Sequence, residues 1–267
     1  MRTALLGFLL VGCAVEAPIE REVPLARVDL RTAIGPADVM PVGVAIAPDG
    51  QRFVMDEQWG FYRIDGDRAF EVIPMAQMPV PDKPMQLPIT DVVSLGPNQF
   101  AFTAIGDGYI LDTAAMTIRQ HFCYLPGDDG TGPRIITQRT DALAFDAARQ
   151  TLYAQPVTFD AAGELQFAQV ATYDRASGAD TAWFDMDRNL AATGMVVLSN
   201  GDVLMGQGDR LLRFDPQART ATQIDNLARF GIESIDGLAL DPVTGALVVV
   251  DKQTDAMLDL EITQLAL

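Results

Sequence analysis

Short runs of alternating apolar and polar positions recur along the chain, and each run is followed by a turn signal and a second run of the same kind. Five copies of this pattern can be aligned, beginning at Gly43, Asp91, Asp141, Gly194 and Asp236. Their starts are 48, 50, 53 and 42 residues apart. Alternation over short segments is typical of strands with one buried face, and a period of about 40 to 50 residues is typical of β-propeller blades. The pattern therefore predicts an all-β propeller.

The first two runs of each copy are joined by residues that favour tight turns. Asp49-Gly50 and Asn200-Gly201 supply the positive φ values that short hairpins require, so these strands are predicted to be antiparallel. In four copies a third run ends on an aspartate: Asp65, Asp112, Asp174 and Asp215. A further turn and a fourth run follow in several copies, which predicts blades of four antiparallel strands. The third copy is predicted to carry an insertion over 156–165, between its second and third strands.

The two ends of the repeat region predict how the ring closes. The last copy supplies three strands, near 237–240, 246–250 and 257–261, and one further apolar strand precedes the first copy at 25–30. An exposed sheet edge is unfavourable, so we expect this N-terminal strand to complete the last blade. The interpretation is five blades in a single domain over 25–267. Six blades would follow if 75–89 or 124–139 contained a degenerate blade.

The N-terminus indicates export. Arg2 precedes an apolar stretch from Ala4 to Val11, which has the form of a secretory signal. The stretch ends in Leu-Val-Gly before Cys13 and resembles the bacterial lipobox, in which the cysteine carries diacylglycerol. We therefore predict a signal peptide over 1–12, acylation of Cys13 and a tether over 13–24. An ordinary cleaved signal, with Cys13 incidental, and a misread N-terminus are the alternatives.

Composition narrows the class of partner. The chain has 19 basic and 36 acidic side chains and a formal net charge of −17, which argues against nucleic acid as a partner. No apolar run approaches the roughly 18 residues of a permanent membrane span. The expected location is that of an exported lipoprotein, at the outer membrane or the periplasmic face of the envelope, with membrane contact only through the lipid. The single histidine, His121, falls in an outer strand of the second blade, so a Ser-His-Asp triad at the channel is not expected.

Aspartates precede several of the strands that line the predicted central channel. The positions before the five inner strands are assigned to Val42, Asp91, Asp141, Thr193 and Asp236. Carboxylates about 8 Å apart repel by about 2 kcal/mol per pair at an effective dielectric of about 20. Either a cation lies among the three, or at least one carboxyl stays protonated, or the side chains turn away and cap backbone groups.

The copies that begin SIDGLALDPVTGALVVVD and TDALAFDAARQTLYAQ resemble inner-strand motifs of the senescence-marker-protein, gluconolactonase and strictosidine-synthase-like propellers, and of NHL-repeat proteins. The resemblance covers roughly residues 40–262 and implies a divalent cation, commonly calcium, at one mouth of the channel. Asp236-Gly237 matches the family's Asp-Gly motif, and Asp141 stands where the family has Asn. Pro41-Val42-Gly43 lacks the family's Glu. The resemblance thus implies Asp91, Asp141 and Asp236 as metal ligands.

Two functions follow from these observations. The first is a lipid-anchored envelope propeller that binds a small molecule or an envelope protein at the channel mouth, where a divalent cation can also bind. The second is a calcium-dependent lactonase or esterase, in which the three aspartates hold the cation that polarises a carbonyl group.

Overall fold

A computed structural model describes residues 22–35, 38–75, 89–104, 107–123, 138–160, 162 and 164–267. The chain forms five four-stranded antiparallel sheets arranged as the blades of a propeller, which confirms the predicted fold. Strand β1 (Ala26–Asp29) is followed by the short helix α1 (Leu30–Ile34). Within the described residues, no helix is both long and apolar enough to span a membrane.

Each of the first four blades uses consecutive strands. Blade 1 contains β2 (Pro41–Ile46), β3 (Arg52–Asp56), β4 (Gly60–Asp65) and β5 (Arg68–Pro74). Blade 2 contains β6 (Ile89–Gly96), β7 (Gln99–Ala104), β8 (Asp107–Asp112) and β9 (Thr117–Cys123). Blade 3 contains β10 (Gln138–Asp146), β11 (Thr151–Phe159), β12 (Leu165–Asp174) and β13 (Asp180–Met186). Blade 4 contains β14 (Gly194–Val197), β15 (Val203–Gln207), β16 (Arg210–Asp215) and β17 (Thr220–Asn226).

Blade 5 closes the ring by combining the two ends of the chain. It contains β18 (Ile235–Leu240), β19 (Leu247–Asp251) and β20 (Ala256–Leu260), and β1 pairs with β20 as its fourth strand. The predicted closing strand is therefore confirmed. The segments considered for a sixth blade lie mostly outside the described residues.

An arginine ties the closing blade to its neighbour. Arg52 of β3 donates from Nη1 and Nη2 to the two carboxylate oxygens of Asp259, at 2.8 and 2.7 Å. Its Nη2 also lies 2.9 Å from Oδ2 of Asp241. Both carboxylates belong to blade 5, so this cluster, the Arg52 clamp, connects blades 1 and 5 on the side where the inner strands end.

The insertion predicted in the third copy is wrong. Residues 156–159 continue β11, and β12 begins at Leu165, so only a short turn separates two long strands. Val157 and Ala168 pair in this extension, and each is 1% exposed. Their neighbour Phe167 is 66% exposed, as expected of alternating strand positions. Blade 3 is therefore lengthened, not interrupted.

The core lies between the blades. Phe53 and Phe61 of blade 1 pack against Phe100 of blade 2, with ring centroids 4.8 to 5.3 Å apart. Such contacts fix the angle between neighbouring sheets, and the rigid ring holds the five inner strands around one axis.

Candidate functional site

The inner strands of the five blades run in the same direction around the axis, so the channel has two distinct ends. The N-terminal mouth is where β2, β6, β10, β14 and β18 begin, and the C-terminal mouth is where they end and turn into β3, β7, β11, β15 and β19. The aspartates predicted as the candidate site precede the inner strands and therefore belong to the N-terminal mouth.

Close backbone packing narrows the N-terminal mouth. A Cβ atom at Gly43 would lie 2.5 Å from Oδ1 of Asp91 and 2.7 Å from the Val92 nitrogen. One at Gly237 would lie 2.8 Å from the Cα atom of Gly43, and one at Gly194 would lie 2.9 Å from the Cα atom of Gly237. Such approaches require residues without a side chain. Four of the five inner strands thus meet here with no space for a ligand between them.

Bulges at the start of the inner strands change the alignment of the three predicted aspartates. In β2 and β18 the unpaired residues are Val42 and Asp236. In β6 the unpaired residue is Thr90, and Asp91 pairs with Thr103. Asp91 is therefore equivalent to the glycines that follow the bulges in other blades. The sequence alignment is wrong by one residue in the second copy.

Asp91 links two blades from this position. It is 2% exposed, its Oδ1 accepts a hydrogen bond from the Val92 nitrogen, and its Oδ2 accepts one from the Leu143 nitrogen of blade 3, both at 2.8 Å. Burial raises the pKa of the Asp91 carboxyl well above its usual range. The two N–H groups oppose this rise, and the charge of Asp236 adds to it.

Residues at the start of the other inner strands also make polar contacts, some of them between blades. Thr193 donates from Oγ1 to the carbonyl oxygen of Ile235 in blade 5, and Thr90 donates to that of Thr140 in blade 3. Oδ2 of Asp236 accepts a hydrogen bond from the Lys252 nitrogen at 3.1 Å, and burial raises the pKa of this carboxyl. Asp141 is 6% exposed. These contacts favour the interpretation that the residues around the N-terminal mouth are structural.

The resemblance implied calcium here, and the described geometry does not fit it. No group of three or more His, Cys, Asp or Glu side chains in the described ranges is arranged to hold a metal ion. Both oxygens of Asp91 already accept backbone hydrogen bonds, and Val42, in place of the family's Glu, is apolar and buried. The assignment of Asp91, Asp141 and Asp236 as ligands stays a prediction, without a ligand cluster to support it.

The C-terminal mouth opens into a central cavity of about 440 Å³ that all five inner strands line. Its wall is mainly apolar, and the half-buried side chains that line it include Val93, Phe145, Val196, Leu198 and Leu240. A concave, largely apolar pocket of this size is typical of small-molecule sites. The structure therefore places the candidate site at the opposite end from the predicted aspartates.

Two charged residues line this cavity, and they neutralise each other. Nη1 of Arg149 lies 2.5 Å from Oδ2 of Asp146, and the Arg149 nitrogen donates to Oδ1 at 2.9 Å. Burial alone would raise the pKa of Asp146, but the hydrogen bonds and charge of Arg149 lower it overall. The sequence pattern predicts this segment only as the turn between the first two strands of the third copy. The spacing of three residues between Asp146 and Arg149 is the signal that could have identified the pair.

His121 lies away from both mouths. It is on β9, the outer strand of blade 2, as predicted, and burial and the charge of Arg119 lower its pKa. Cys13 lies outside the described residues.

No family model matches the sequence, and no curated protein matches it. Among solved structures, the chain is similar to a gluconolactonase from Xanthomonas campestris, with a TM-score of 0.51 and 13% identity over 83% of this chain and 72% of that chain. Identity this low shows a shared β-propeller fold alone.

Two further similar structures come from Bacteroides thetaiotaomicron. One is the extracellular domain of a putative one-component system, with a TM-score of 0.46 and 14% identity over 81% of this chain. This chain spans only 27% of that protein. The other is an auxiliary nutrient binding protein, with a TM-score of 0.47 and 8% identity over 82% of this chain and 58% of that chain.

Proposed function

We propose that this chain is a ligand-binding propeller that takes a small, uncharged and largely apolar molecule into the central cavity at its C-terminal mouth. The observation that carries the proposal is the cavity itself, about 440 Å³ in volume and lined by the inner strand of every blade. Five strands from five interlocked blades form a rigid wall, which reduces the entropy lost on binding.

The charge of the wall supports an uncharged ligand. Asp146 and Arg149 are the charged side chains that line the cavity, and their ion pair leaves no net charge for an ionic ligand. The formal net charge of −17 further disfavours anions. Half-buried Val93, Val196 and Leu240 offer apolar surface, whose burial against a ligand stabilises a complex by about 25 cal/mol per Å².

The location belongs to the same proposal. An exported chain, held to the envelope through acylated Cys13 and a tether over 13–24, would keep the propeller near the membrane while the cavity stays open to small molecules. A protein of the envelope is the alternative partner, through the loops around the mouth. For the calcium-dependent lactonase or esterase alternative, no group of three or more His, Cys, Asp or Glu side chains in the described ranges is arranged to hold the metal ion.

Substitution Val93→Phe tests the cavity. Val93 is half-buried and lines the wall, so a larger ring fills space that a ligand needs. We expect the uncharged fluorescent probe N-phenyl-1-naphthylamine to bind the parent protein with a rise in emission, and its affinity to fall at least tenfold in Val93→Phe. Fluorescence titration measures both.

Val23→Phe is the matched control, because Val23 is 80% exposed and lies outside the cavity. It should bind the probe as the parent does. A parent that does not bind the probe, or equal binding by Val93→Phe and Val23→Phe, would contradict the proposal.

A further inference from the structure

A second, polar cavity opens beside the first. We call it the crevice; it lies between blades 3 and 4, has a volume of about 250 Å³, and is lined by Arg149, Tyr153, Asn200, Asp202, Arg213 and Gln217, among others. Arg149 also lines the central cavity. The guanidinium of Arg149 packs against Gly201, where a Cβ atom would lie 3.1 Å from each terminal nitrogen. This side chain therefore forms a shared wall between an apolar space and a polar one.

Tyr153 is the residue that points to a ligand in the crevice. It is 6% exposed, and its side chain lines the crevice, where the hydroxyl can meet a ligand. Burial raises the pKa of Tyr153, and the charge of Asp146 adds to the rise, so the hydroxyl keeps its proton at neutral pH and can both donate and accept.

The two guanidinium groups of the crevice are already paired. Nε of Arg213 donates to Oδ2 of Asp202 at 2.5 Å, and Nδ2 of Asn200 donates to the same oxygen at 2.8 Å. Arg149 is paired with Asp146. Because each guanidinium has its own carboxylate, the crevice offers an anion no unpaired positive charge. The polar groups fit uncharged oxygens, such as hydroxyl groups.

We infer that the ligand of this propeller is an amphiphile, with an apolar tail in the central cavity and an uncharged, hydroxylated head in the crevice that hydrogen-bonds to Tyr153. This inference rests on the proposed function, because the tail occupies the cavity described there. Arg149 lies where tail and head meet, and its remaining N–H groups can donate to the oxygen that joins them.

Competition with the bound naphthylamine probe tests the inference on the full chain. Hexyl β-D-glucoside carries a hydroxylated uncharged head, 1-hexanol carries the same tail without it, and hexyl sulfate carries an anionic head. We expect the glucoside to displace the probe at a concentration at least fivefold lower than either of the others. In Tyr153→Phe the glucoside should weaken about 3- to 10-fold, the effect of one lost hydrogen bond, while hexanol stays unchanged.

Tyr62→Phe is the matched control, because Tyr62 is similarly buried but lies in blade 1. It should leave all three competitors unchanged. A second variant, Gln217→Trp, obstructs the crevice from an exposed turn and should also weaken the glucoside alone.

The outcomes separate the two proposals. If the parent does not bind the probe, the proposed function fails and this inference fails with it. If the probe binds but the glucoside competes no better than hexanol, or Tyr153→Phe and Gln217→Trp leave it unchanged, the amphiphile is wrong and the apolar site stands. Preference for hexyl sulfate would overturn the uncharged head.

Discussion

Aspartate side chains hold many of the chain's turns and strand ends together. Asp56, which is fully buried, accepts hydrogen bonds from the backbone nitrogens of Met40, Gln58 and Trp59. Asp251 accepts from several backbone nitrogens in the same way at the end of β19. One carboxylate can accept several hydrogen bonds, so it is an efficient cap. Part of the large negative charge is therefore structural.

These buried carboxyls predict an unusual dependence of stability on pH. Burial raises the folded-state pKa of Asp56, Asp91 and Asp236. A raised pKa means that the folded chain binds the proton more tightly than the unfolded chain, so its stability rises as pH falls from neutral toward the ordinary value near 3.8. The pKa is lowered in the folded state for other carboxyls, which include Asp146, Asp225 and Asp241. These groups reduce the stability of the fold as pH falls, but only below about the ordinary pKa of an aspartate.

Asp91→Asn tests this prediction. We expect the melting temperature of the parent to rise as pH is lowered from about 8 to about 5. The rise should be smaller in Asp91→Asn, because asparagine at position 91 cannot bind a proton in this range. Differential scanning calorimetry across this range measures both slopes. The exposed Asp67→Asn should keep the parent's slope. If the melting temperatures of Asp91→Asn and the parent change with pH by the same amount, the buried Asp91 carboxyl is not the cause of the pH dependence.

The sequence predicted which aspartates lie near the N-terminal mouth but not how they point. A bulge adds one residue on one strand, and it changes which side chain faces the axis. The bulge in β6 falls at Thr90, so Asp91 takes the position of a glycine. Nothing in the local sequence distinguishes a bulge before Asp91 from one at it.

At the scale of strands and turns, local chemistry was a good guide. Gly50 and Gly201 have φ values of 85° and 94°, as the hairpin signals predicted. The failure at 156–165 has a local cause. Pro156 cannot donate to a ladder, but it pairs with Thr140 beside a bulge, where such a residue is tolerated. The strand therefore continues through the proline, and alternate residues of the extension are buried.

We expect the Arg52 clamp to stabilise the contact between blade 5 and blade 1. Removing this guanidinium in Arg52→Gln leaves two poorly exposed carboxylates, Asp241 and Asp259, without their positive partner. We expect a loss of about 3 kcal/mol in the free energy of unfolding, measured by urea denaturation.

Arg31→Gln is the matched control for the clamp. Arg31 of α1 forms an ion pair at 2.8 Å with Asp255, which lies between β19 and β20 of blade 5, but the Arg31 side chain is 59% exposed. An exposed pair contributes less than about 1 kcal/mol. Equal losses in the two variants would show that the clamp has no special role.

For the molecule as a whole, the sequence predicted the closed ring of blades but not which mouth of the central channel opens into a cavity. Repeat period, turn chemistry and the unpaired N-terminal strand each report on short stretches, and together they favour five closed blades. The cavity depends instead on side-chain volumes from five strands far apart in sequence, such as Val93 and Val196, combined at one level of the axis. No single segment carries that information.

The lipid anchor is also a property of the whole molecule, because it sets where the propeller works. Cys13→Ser removes the predicted acylation site and should release the protein from the membrane fraction or block its processing. Fractionation and mass spectrometry of the mature N-terminus measure both effects. The internal Cys123→Ser serves as a control and should stay in the membrane fraction. If the Cys13→Ser variant stays in the membrane fraction and is processed as the parent is, the lipid anchor is refuted.

The pairing of β1 with β20 has a consequence for the time course of synthesis. Val28 and Met257 pair although they are 229 residues apart, and the chain is made from its N-terminus. Until β20 has been made, four blades form an open arc and β1 waits without its neighbour. Contacts between such distant segments form late and slowly. A chain that stops early therefore exposes strand edges to other chains, and the ring closes only around a complete product.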